Sequence, residues 1–298
     1  MSTRIIPRCI IPAGETAMDT TKPLLKAAPL RRAALLLLIL GTALLFVIVY
    51  AQIVPVSEDW RVIREGVLAL LAGHGYTADF FNPPWTALIL VPLALLPVTI
   101  GSALLALVNL TSFGVVAHRL GAKLPAMLLL LTSAPVISGV GIGNIDWLPA
   151  LGLLLPPRWG LFFVLIKPQA GIGIALYWLW EAWQRGRARE VLRVFAPVTA
   201  AFAASFLIYG PYLFRPSLKT EWSTSLFPYL IPVGVVLLAL AARKRTPHFA
   251  VGAGLFFSPY LTFPSYALLV LSCVRRWWLA AAVSALLWAA VAYALVFG

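Results

Sequence analysis

Charged residues are scarce in this chain. Only 11% of its 298 residues are charged, whereas an ordinary globular domain carries about 25%. Hydrophobic residues make up 61%, and the mean hydropathy is +0.93. This composition excludes a water-soluble enzyme. It indicates an all-α, polytopic membrane protein, because one bilayer crossing needs about 20 apolar residues and apolar stretches recur from Ala33 onward.

Cysteines and metal-ligand patterns are also scarce. The two cysteines, Cys9 and Cys273, stand far apart, so they indicate neither a disulfide framework nor a metal site. No Asp-x-Asp pair and no histidine cluster has the spacing of metal ligands. We therefore expect no metal and no cofactor.

The net charge of +13 comes from short basic clusters between apolar stretches. Such clusters are typical of cytoplasmic loops, so we expect no nucleic-acid partner. The densest clusters, 184–193 and 243–245, are predicted to be cytoplasmic. Residues 1–32 are polar and basic and predict a disordered cytoplasmic tail, and residues 33–298 predict a single transmembrane domain in the plasma membrane.

Fitting helices between these basic clusters predicts about eleven membrane segments, several of them shorter than one full crossing. This count places Arg119 and Lys123 outside, against the usual bias of basic residues. The predicted segments are 33–54, 84–97, 99–118, 125–141, 144–156, 159–182, 194–213, 223–241, 247–258, 264–274 and 277–297.

The longest predicted outer loop spans residues 55–83. Within it Trp60, Ile63, Val67 and Leu70 recur at helical spacing, which predicts an amphipathic helix lying in the membrane interface. Either Ser57 or Asp59 can serve as its N-cap.

The small number of carboxylates limits the candidates for a catalytic acid or base. The sequence has only ten, and five are neither cytoplasmic in the predicted topology nor in a short outer loop: Glu58, Asp59, Glu65, Asp79 and Asp146. Four of these five lie in the 55–83 loop. A general base placed there can serve a reaction at the outer leaflet.

Several short motifs resemble one family in the same order. Asp59, the His-Gly turn at 73–76, the Asn-Pro-Pro-Trp run ending at Trp85 and the proline-flanked run 91–97 are similar to the first outer loop of GT-C membrane glycosyltransferases. Glycosyltransferase family 87, the polyprenyl-phosphate-mannose-dependent mannosyltransferase-like proteins, is the most similar. Residues 143–146, 167–169 and 258–266 resemble three later motifs. Asn144 stands where the family has glutamine, and Tyr260 lies where a histidine is often found.

The resemblance implies a GT-C-like helical bundle and an inverting glycosyltransferase. Such an enzyme moves a sugar, here mannose-like, from a polyprenyl-phosphate donor to a glycan or glycolipid acceptor at the outer face of the membrane. Its partners would be these two substrates and membrane lipids.

The resemblance also assigns candidate roles. Asp59 is the candidate base, with N-capping as the alternative. Glu58 is a second candidate base or a solvated neighbour, and His74 either relays a proton or is a solvated turn residue. Lys167 either binds the donor phosphate or pairs with Asp146 for structural reasons.

Other polar and aromatic residues are candidate ligands with structural alternatives. Four arginines either help to bind the donor phosphate or anchor the protein at the interface: Arg61, Arg64, Arg158 and Arg215. The candidate contacts to sugar or acceptor are Tyr76, Asn82, Trp85, Asn144, Asp146, Gln169 and Tyr260. The asparagines can instead bond backbone groups, and the aromatic residues can belong to interfacial belts.

Two other functions fit the same sequence. A transporter or lipid flippase also has short broken helices and an intramembrane lysine, although no internal repeat is evident here. A GT-C-like subunit without catalytic activity is the third interpretation.

Overall fold

A computed structural model describes residues 22–212 and 223–297, with side chains from residue 31 onward. Its regular elements in these ranges are all helical. The α-helices are α1 Lys22–Ile53, α2 Glu58–Leu71, α3 Pro84–Ala94, α4 Val98–Arg119, α5 Leu124–Leu131, α6 Ala134–Ile142, α7 Trp147–Gly152, α8 Pro157–Val164, α9 Pro168–Tyr209, α10 Ile231–Lys244, α11 His248–Ala253, α12 Ala267–Cys273 and α13 Trp277–Phe297. Two 3-10 turns, Gly254–Phe256 and Phe263–Tyr266, precede α12.

The chain divides into two compact units, residues 1–45 and residues 46–298. Helix α1 runs through this division, and its segment Arg31–Ile53 is long and apolar enough to span a membrane, in agreement with the predicted first segment. Its leucines are exposed, which suits a helix surrounded by lipid. Of the predicted tail, residues 1–21 lie outside the described residues, and α1 begins at Lys22.

Fewer helices can cross a membrane than the sequence predicted. Among the described residues, four are long and apolar enough: the Arg31–Ile53 part of α1, α4, α9 and α13. Helices α5 and α6, bent by 50° where they meet, make up to five. The structure does not support the predicted count of about eleven spans. It does show the coarser features, an all-helical chain with several apolar helices that can span a membrane.

Prolines and turns divide the remaining predicted segments. Helix α3 has only 11 residues, and the segment 144–156 forms only the six-residue α7. Prolines stand at the start of α3, α8 and α9, where the missing N–H group costs no helical hydrogen bond. An apolar composition therefore marks buried short helices as well as spans.

The predicted segment 159–182 is not one helix. Helix α8 ends at Val164 and α9 begins at Pro168, so Lys167 lies at a helix break and not inside a helix. Proline explains the break, because its ring disfavours a helical conformation in the residue before it. Helix α9 is broken again at Gly186 and Arg187, which have non-helical backbone angles, and this turn lies in the basic run 184–193.

Helix α2 confirms the predicted amphipathic helix. Ser57 is its N-cap and accepts a hydrogen bond from the Trp60 N–H at 3.3 Å, so Asp59 is not the cap. Trp60 and Val67 are fully buried and α2 packs against α3, α4 and α6. The apolar stripe therefore faces protein, which equally explains the helical spacing.

The turn after α4 lies beside the basic pair that precedes α13. The Arg275 Nε–H donates a hydrogen bond to the Leu120 carbonyl at 3.0 Å, which brings Arg119 and Lys123 to the same end of the unit as Arg275. The predicted segments place Arg119 and Lys123 outside and Arg275 on the cytoplasmic side, so this contact disagrees with the predicted count. Seven predicted segments separate Lys123 from Arg275, and at least one of them is not a crossing; segment 144–156, which forms only the six-residue α7, is too short for one.

Gly143 provides a test of the packing between α6 and α2. It ends α6 with φ of 74°, and a Cβ there would lie 2.8 Å from Ser57 Oγ and 2.9 Å from Trp60 Cβ. We expect Gly143→Ala to lower the free energy of unfolding by about 1–3 kcal/mol. Thermal unfolding of the purified protein in detergent measures this loss.

Gly141→Ala is the matched control, because Gly141 lies inside α6 and a Cβ there meets no atom within 4 Å. It should leave stability unchanged or raise it slightly. Equal melting temperatures for the two variants would contradict the close contact at Gly143.

Candidate functional site

A cavity of about 450 Å³ lies at the N-terminal end of α2. It gathers residues from α2, the loop after it, α6, the break before α9 and the segment before α12. Predicted site residues that line it are Glu58, Asp59, Asn82, Asn144, Lys167, Gln169 and Tyr260. The ordered motifs that are distant in sequence thus converge on one cavity.

Contacts between α6 and α2 hold the acid-bearing end of α2 at this cavity. The Ser57 hydroxyl donates a hydrogen bond to the Ile142 carbonyl at 2.5 Å, and Gly143 allows the close approach described above. Asn144 follows directly. The N-cap of α2 and the end of α6 are therefore joined, which brings Asp59 and Asn144 to the same cavity wall.

A buried ion pair lies beside the cavity; Lys167 lines the cavity, whereas Asp146, a predicted contact to sugar or acceptor, lies behind it and is not among the lining residues. Lys167 Nζ lies 2.9 Å from Asp146 Oδ1 and donates a hydrogen bond to Asn144 Oδ1 at 2.9 Å. The Ser265 hydroxyl donates to Asp146 Oδ2 at 3.1 Å. Lys167 is 9% exposed and Asp146 3%, so the pair is largely removed from solvent.

Asn144 joins this network from two directions. Its Oδ1 also accepts the Asp146 backbone N–H at 2.9 Å, and its carbonyl accepts the Asn109 side-chain N–H at 3.1 Å. An ammonium group has three protons to donate. The Lys167 ammonium donates one hydrogen bond, to Asn144, and forms an ion pair with Asp146. It has no further partner among the described residues, so it retains a proton to donate to a ligand.

Asp59 differs from this network in having no hydrogen-bond or ion-pair partner among the described residues. Its side chain is half-buried. Burial raises the pKa of the Asp59 carboxyl above its usual value, Lys167 opposes this shift, and Asp146 and Glu58 add to it. Burial also raises the pKa of Tyr260, and the charge of Asp59 adds to that shift. A carboxylate in this state suits proton transfer.

The loop that follows α2 is tied to the helix break. The Asn82 side-chain N–H donates to the Ile166 carbonyl at 3.2 Å, next to Lys167. The Tyr76 hydroxyl donates to the Asn82 carbonyl at 2.9 Å, and the Tyr76 ring stacks on Tyr212 with centroids 4.3 Å apart. Tyr76 thus supports the loop and is not among the residues that line the cavity.

Trp85 is likewise a packing residue. Its indole N–H donates to the Phe162 carbonyl at 2.8 Å, and its ring packs edge-on against Phe162 and Phe202. Trp85, a predicted contact to sugar or acceptor, is half-buried and is not among the residues that line the cavity.

Arg61, Arg64 and Arg158 are not among the described residues that line the cavity. Arg61 is exposed, and Arg64 Nη2 donates to the Leu96 carbonyl at 3.4 Å. Arg61 follows Asp59 by two residues, and helical residues at that spacing do not share a face. Arg158 lies over the Trp159 ring at 5.2 Å. Arg215 lies outside the described residues.

His74 is also outside the cavity. It is exposed in a turn between Gly73 and Gly75, both of which have positive φ. The structure places His74 in an exposed turn, away from the residues that line the cavity. In contrast, Asp79, a carboxylate of the 55–83 loop to which the sequence assigned no role, lines the cavity together with Phe81 and Thr262. The position of Asp79 in the loop of Asp59 was the available signal.

Within the ranges 22–212 and 223–297 no group of three His, Cys, Asp or Glu side chains could hold a metal ion.

Comparisons with known proteins found no matching family model, and no curated protein or solved structure is significantly similar to the chain. The family resemblance therefore depends on the ordered motifs alone.

The ion pair makes a prediction about stability. Lys167→Met leaves Asp146 buried without its cation, and breaking one side of a buried pair costs about 3–5 kcal/mol. The double variant Lys167→Met/Asp146→Asn should be less destabilised than the sum of the two single variants, because it removes both charges. Thermal unfolding of all four proteins gives the coupling, and strictly additive losses would argue against a direct pair.

Proposed function

We propose that this protein is an integral membrane glycosyltransferase of the GT-C class. It transfers a sugar from a polyprenyl-phosphate donor to a hydroxyl group of a glycan or glycolipid acceptor, with inversion at the anomeric carbon. A mannose-like donor follows from the resemblance to family 87. Asp59 is the general base, and Glu58 is the alternative base at the exposed rim of the same cavity.

The state of Asp59 is the observation that carries the proposal. A general base must come within hydrogen-bond reach of the proton that it accepts. Asp59 lines a cavity large enough for a sugar and makes no hydrogen bond or ion pair to the described residues. A purely structural carboxylate at this depth would be expected to have such a partner.

The reaction is a single displacement. Asp59 accepts the proton of the acceptor hydroxyl while the acceptor oxygen bonds to the anomeric carbon. The bond from that carbon to the phosphate oxygen breaks, and its electron pair leaves with the polyprenyl phosphate. The remaining proton of the Lys167 ammonium is available to the departing oxygen, where negative charge grows.

The ion pair and the phosphate role are compatible in this scheme. Asp146 balances the charge of Lys167, and Asn144 holds the ammonium group in one position. Asn144, Gln169 and Tyr260 supply polar groups for sugar hydroxyls. Asn82 contributes through the loop that it ties to the helix break.

The distribution of charge supports an orientation of residues 46–298 in the membrane. Arg119, Lys123, Arg275 and Arg276 gather at one end, where the Leu120 carbonyl contacts Arg275, while the cavity has three carboxylates in its lining. Basic residues favour the cytoplasmic side of a plasma membrane. The cavity would then lie toward the outer face.

A transporter or flippase is the second candidate. The observation that favours it is the buried ion pair at the break between α8 and α9, since transporter sites often lie at discontinuous helices. A carrier would move a lipid or sugar without forming a product, so the same assay separates the two functions.

Asp59→Asn tests the base. The purified protein is incubated with labelled polyprenyl-phosphate mannose and a lipid extract, and the product is identified by its mass. We expect the variant to lose about 10²- to 10⁴-fold in rate, the usual contribution of a general base. Glu65→Gln is the matched control, because Glu65 is exposed on α2 away from the cavity.

The stability of Asp59→Asn separates catalysis from folding. Burial disfavours the ionised carboxylate, so the variant should melt at the same temperature as the wild type or higher at pH 7. Full transfer by a folded Asp59→Asn protein would exclude Asp59 as the base. Transbilayer movement of the lipid by a wild type that forms no product would favour the carrier.

The pH dependence follows from the raised pKa of Asp59. Transfer requires the carboxylate, so the acid limb of kcat/KM should have its midpoint above the ordinary Asp value of 3.8. Lys167 lowers this pKa, so the limb of a folded Lys167→Met variant should move to higher pH. The same raised pKa affects stability, because the folded protein favours protonated Asp59. This contribution to the free energy of unfolding is complete below the pKa that Asp59 has in the unfolded chain, and it is lost as the pH rises through the pKa that Asp59 has in the folded protein.

The Asp59→Asn protein provides the control for the pH experiment. It should lack this loss of stability between the two pKa values. An acid limb at 3.8 or below in the wild type would contradict the environment described for Asp59.

A further inference from the structure

A second concave surface lies between α4 and α5, toward the basic end of the unit. It is a groove of about 620 Å³. Helix α4 contributes residues at helical spacing from Leu107 through Thr111 and Val115 to Arg119, and α5 contributes Met127 and Leu131. From Leu107 to Arg119 the groove follows α4 for about 18 Å.

The groove has an apolar wall with an open position in its middle. A Cβ added at Gly114 meets no atom within 4 Å. The Thr111 hydroxyl donates to the Leu107 carbonyl of its own helix, so it presents no unsatisfied polar group. These features describe a slot for a hydrocarbon chain along a helix that is itself long and apolar enough to span a membrane.

Basic residues close one end of this slot. His118 and Arg119 line the groove and are exposed, and exposed Lys123 precedes α5. Arg275 is held nearby through the Leu120 carbonyl. No Asp or Glu is among the residues that line the groove, and the sequence has none between residues 81 and 145 or after residue 247.

We propose that this groove binds one anionic glycerophospholipid, with an acyl chain along the α4 slot and its phosphate at His118 and Arg119. The positive charge at one end of the groove favours an anionic lipid over an apolar helix or a second copy of the chain. An apolar helix, or the same face of a second copy, would bury the cations or repel them, whereas an anionic lipid pairs with them. The proposal is independent of the chemistry at Asp59.

Native mass spectrometry of the full-length protein tests the headgroup. The probes are dioleoylphosphatidylglycerol and dioleoylphosphatidylcholine at equal concentrations in the same detergent, which share their acyl chains. We expect one bound phosphatidylglycerol per protein and a preference of about fivefold or more over phosphatidylcholine, since each basic residue at a membrane surface contributes about that factor. Equal affinity for the two lipids would overturn the proposal.

Two variants test the slot and the charge separately. Gly114→Leu adds a side chain whose Cβ meets no atom within 4 Å, so it extends into the slot and should weaken phosphatidylglycerol binding about tenfold. Its control, Gly41→Leu, is also in a helix with open space around the glycine. Arg119→Gln should lower phosphatidylglycerol binding about fivefold and leave phosphatidylcholine unchanged. Its control is Arg243→Gln, an exposed arginine outside the groove.

Three other results would overturn the proposal. One is wild-type affinity for phosphatidylglycerol in a folded Gly114→Leu protein. Another is effective competition by glycerol 3-phosphate, which carries the phosphate but no chain and would identify a free-anion site. The third is a change of oligomeric state in Gly114→Leu, which would make the groove an interface between copies.

Discussion

The buried pair of Lys167 and Asp146 is the constraint on which the site depends. An ammonium group at this depth is tolerated only with a partner and hydrogen bonds, and the structure supplies Asp146 at 2.9 Å and Asn144 at 2.9 Å. Pro168 breaks the helix and frees Lys167 to face the cavity, while Ser265 fixes the other oxygen of Asp146. One pair therefore joins the break before α9, the start of α7 and the segment before α12.

The carboxylates around the cavity have different environments. Asp146 forms an ion pair with Lys167 and accepts a hydrogen bond from Ser265, whereas Asp59 is half-buried without a partner among the described residues. The neighbouring charges push the pKa of Asp59 in opposite directions. This separation of one structural and one free carboxylate is what acid–base chemistry requires of a site with few titratable groups, and it underlies the proposed sugar transfer.

Short sequence motifs predicted several residues of the cavity. Asp59, Asn144, Lys167 and Tyr260 were placed together by the family resemblance, and the structure brings them to one cavity. Arg61 and Arg64 were grouped with Asp59 by nearness in sequence, but helical geometry directs them elsewhere. The number of spans was overestimated for a related reason, since apolar composition does not distinguish a buried short helix such as α7 from a crossing.

The amino-acid sequence alone determined that the chain is apolar and helical and which residue types are available for chemistry. Its hydropathy requires burial in lipid or in protein, its prolines limit helix length, and its ten carboxylates leave few candidate acids. Only the tertiary structure decided which of them lie together. The hydrogen bond from Ser57 to Ile142, the close approach at Gly143 and the ion pair all join residues that are far apart in the chain, and such contacts depend on packing that local patterns do not specify.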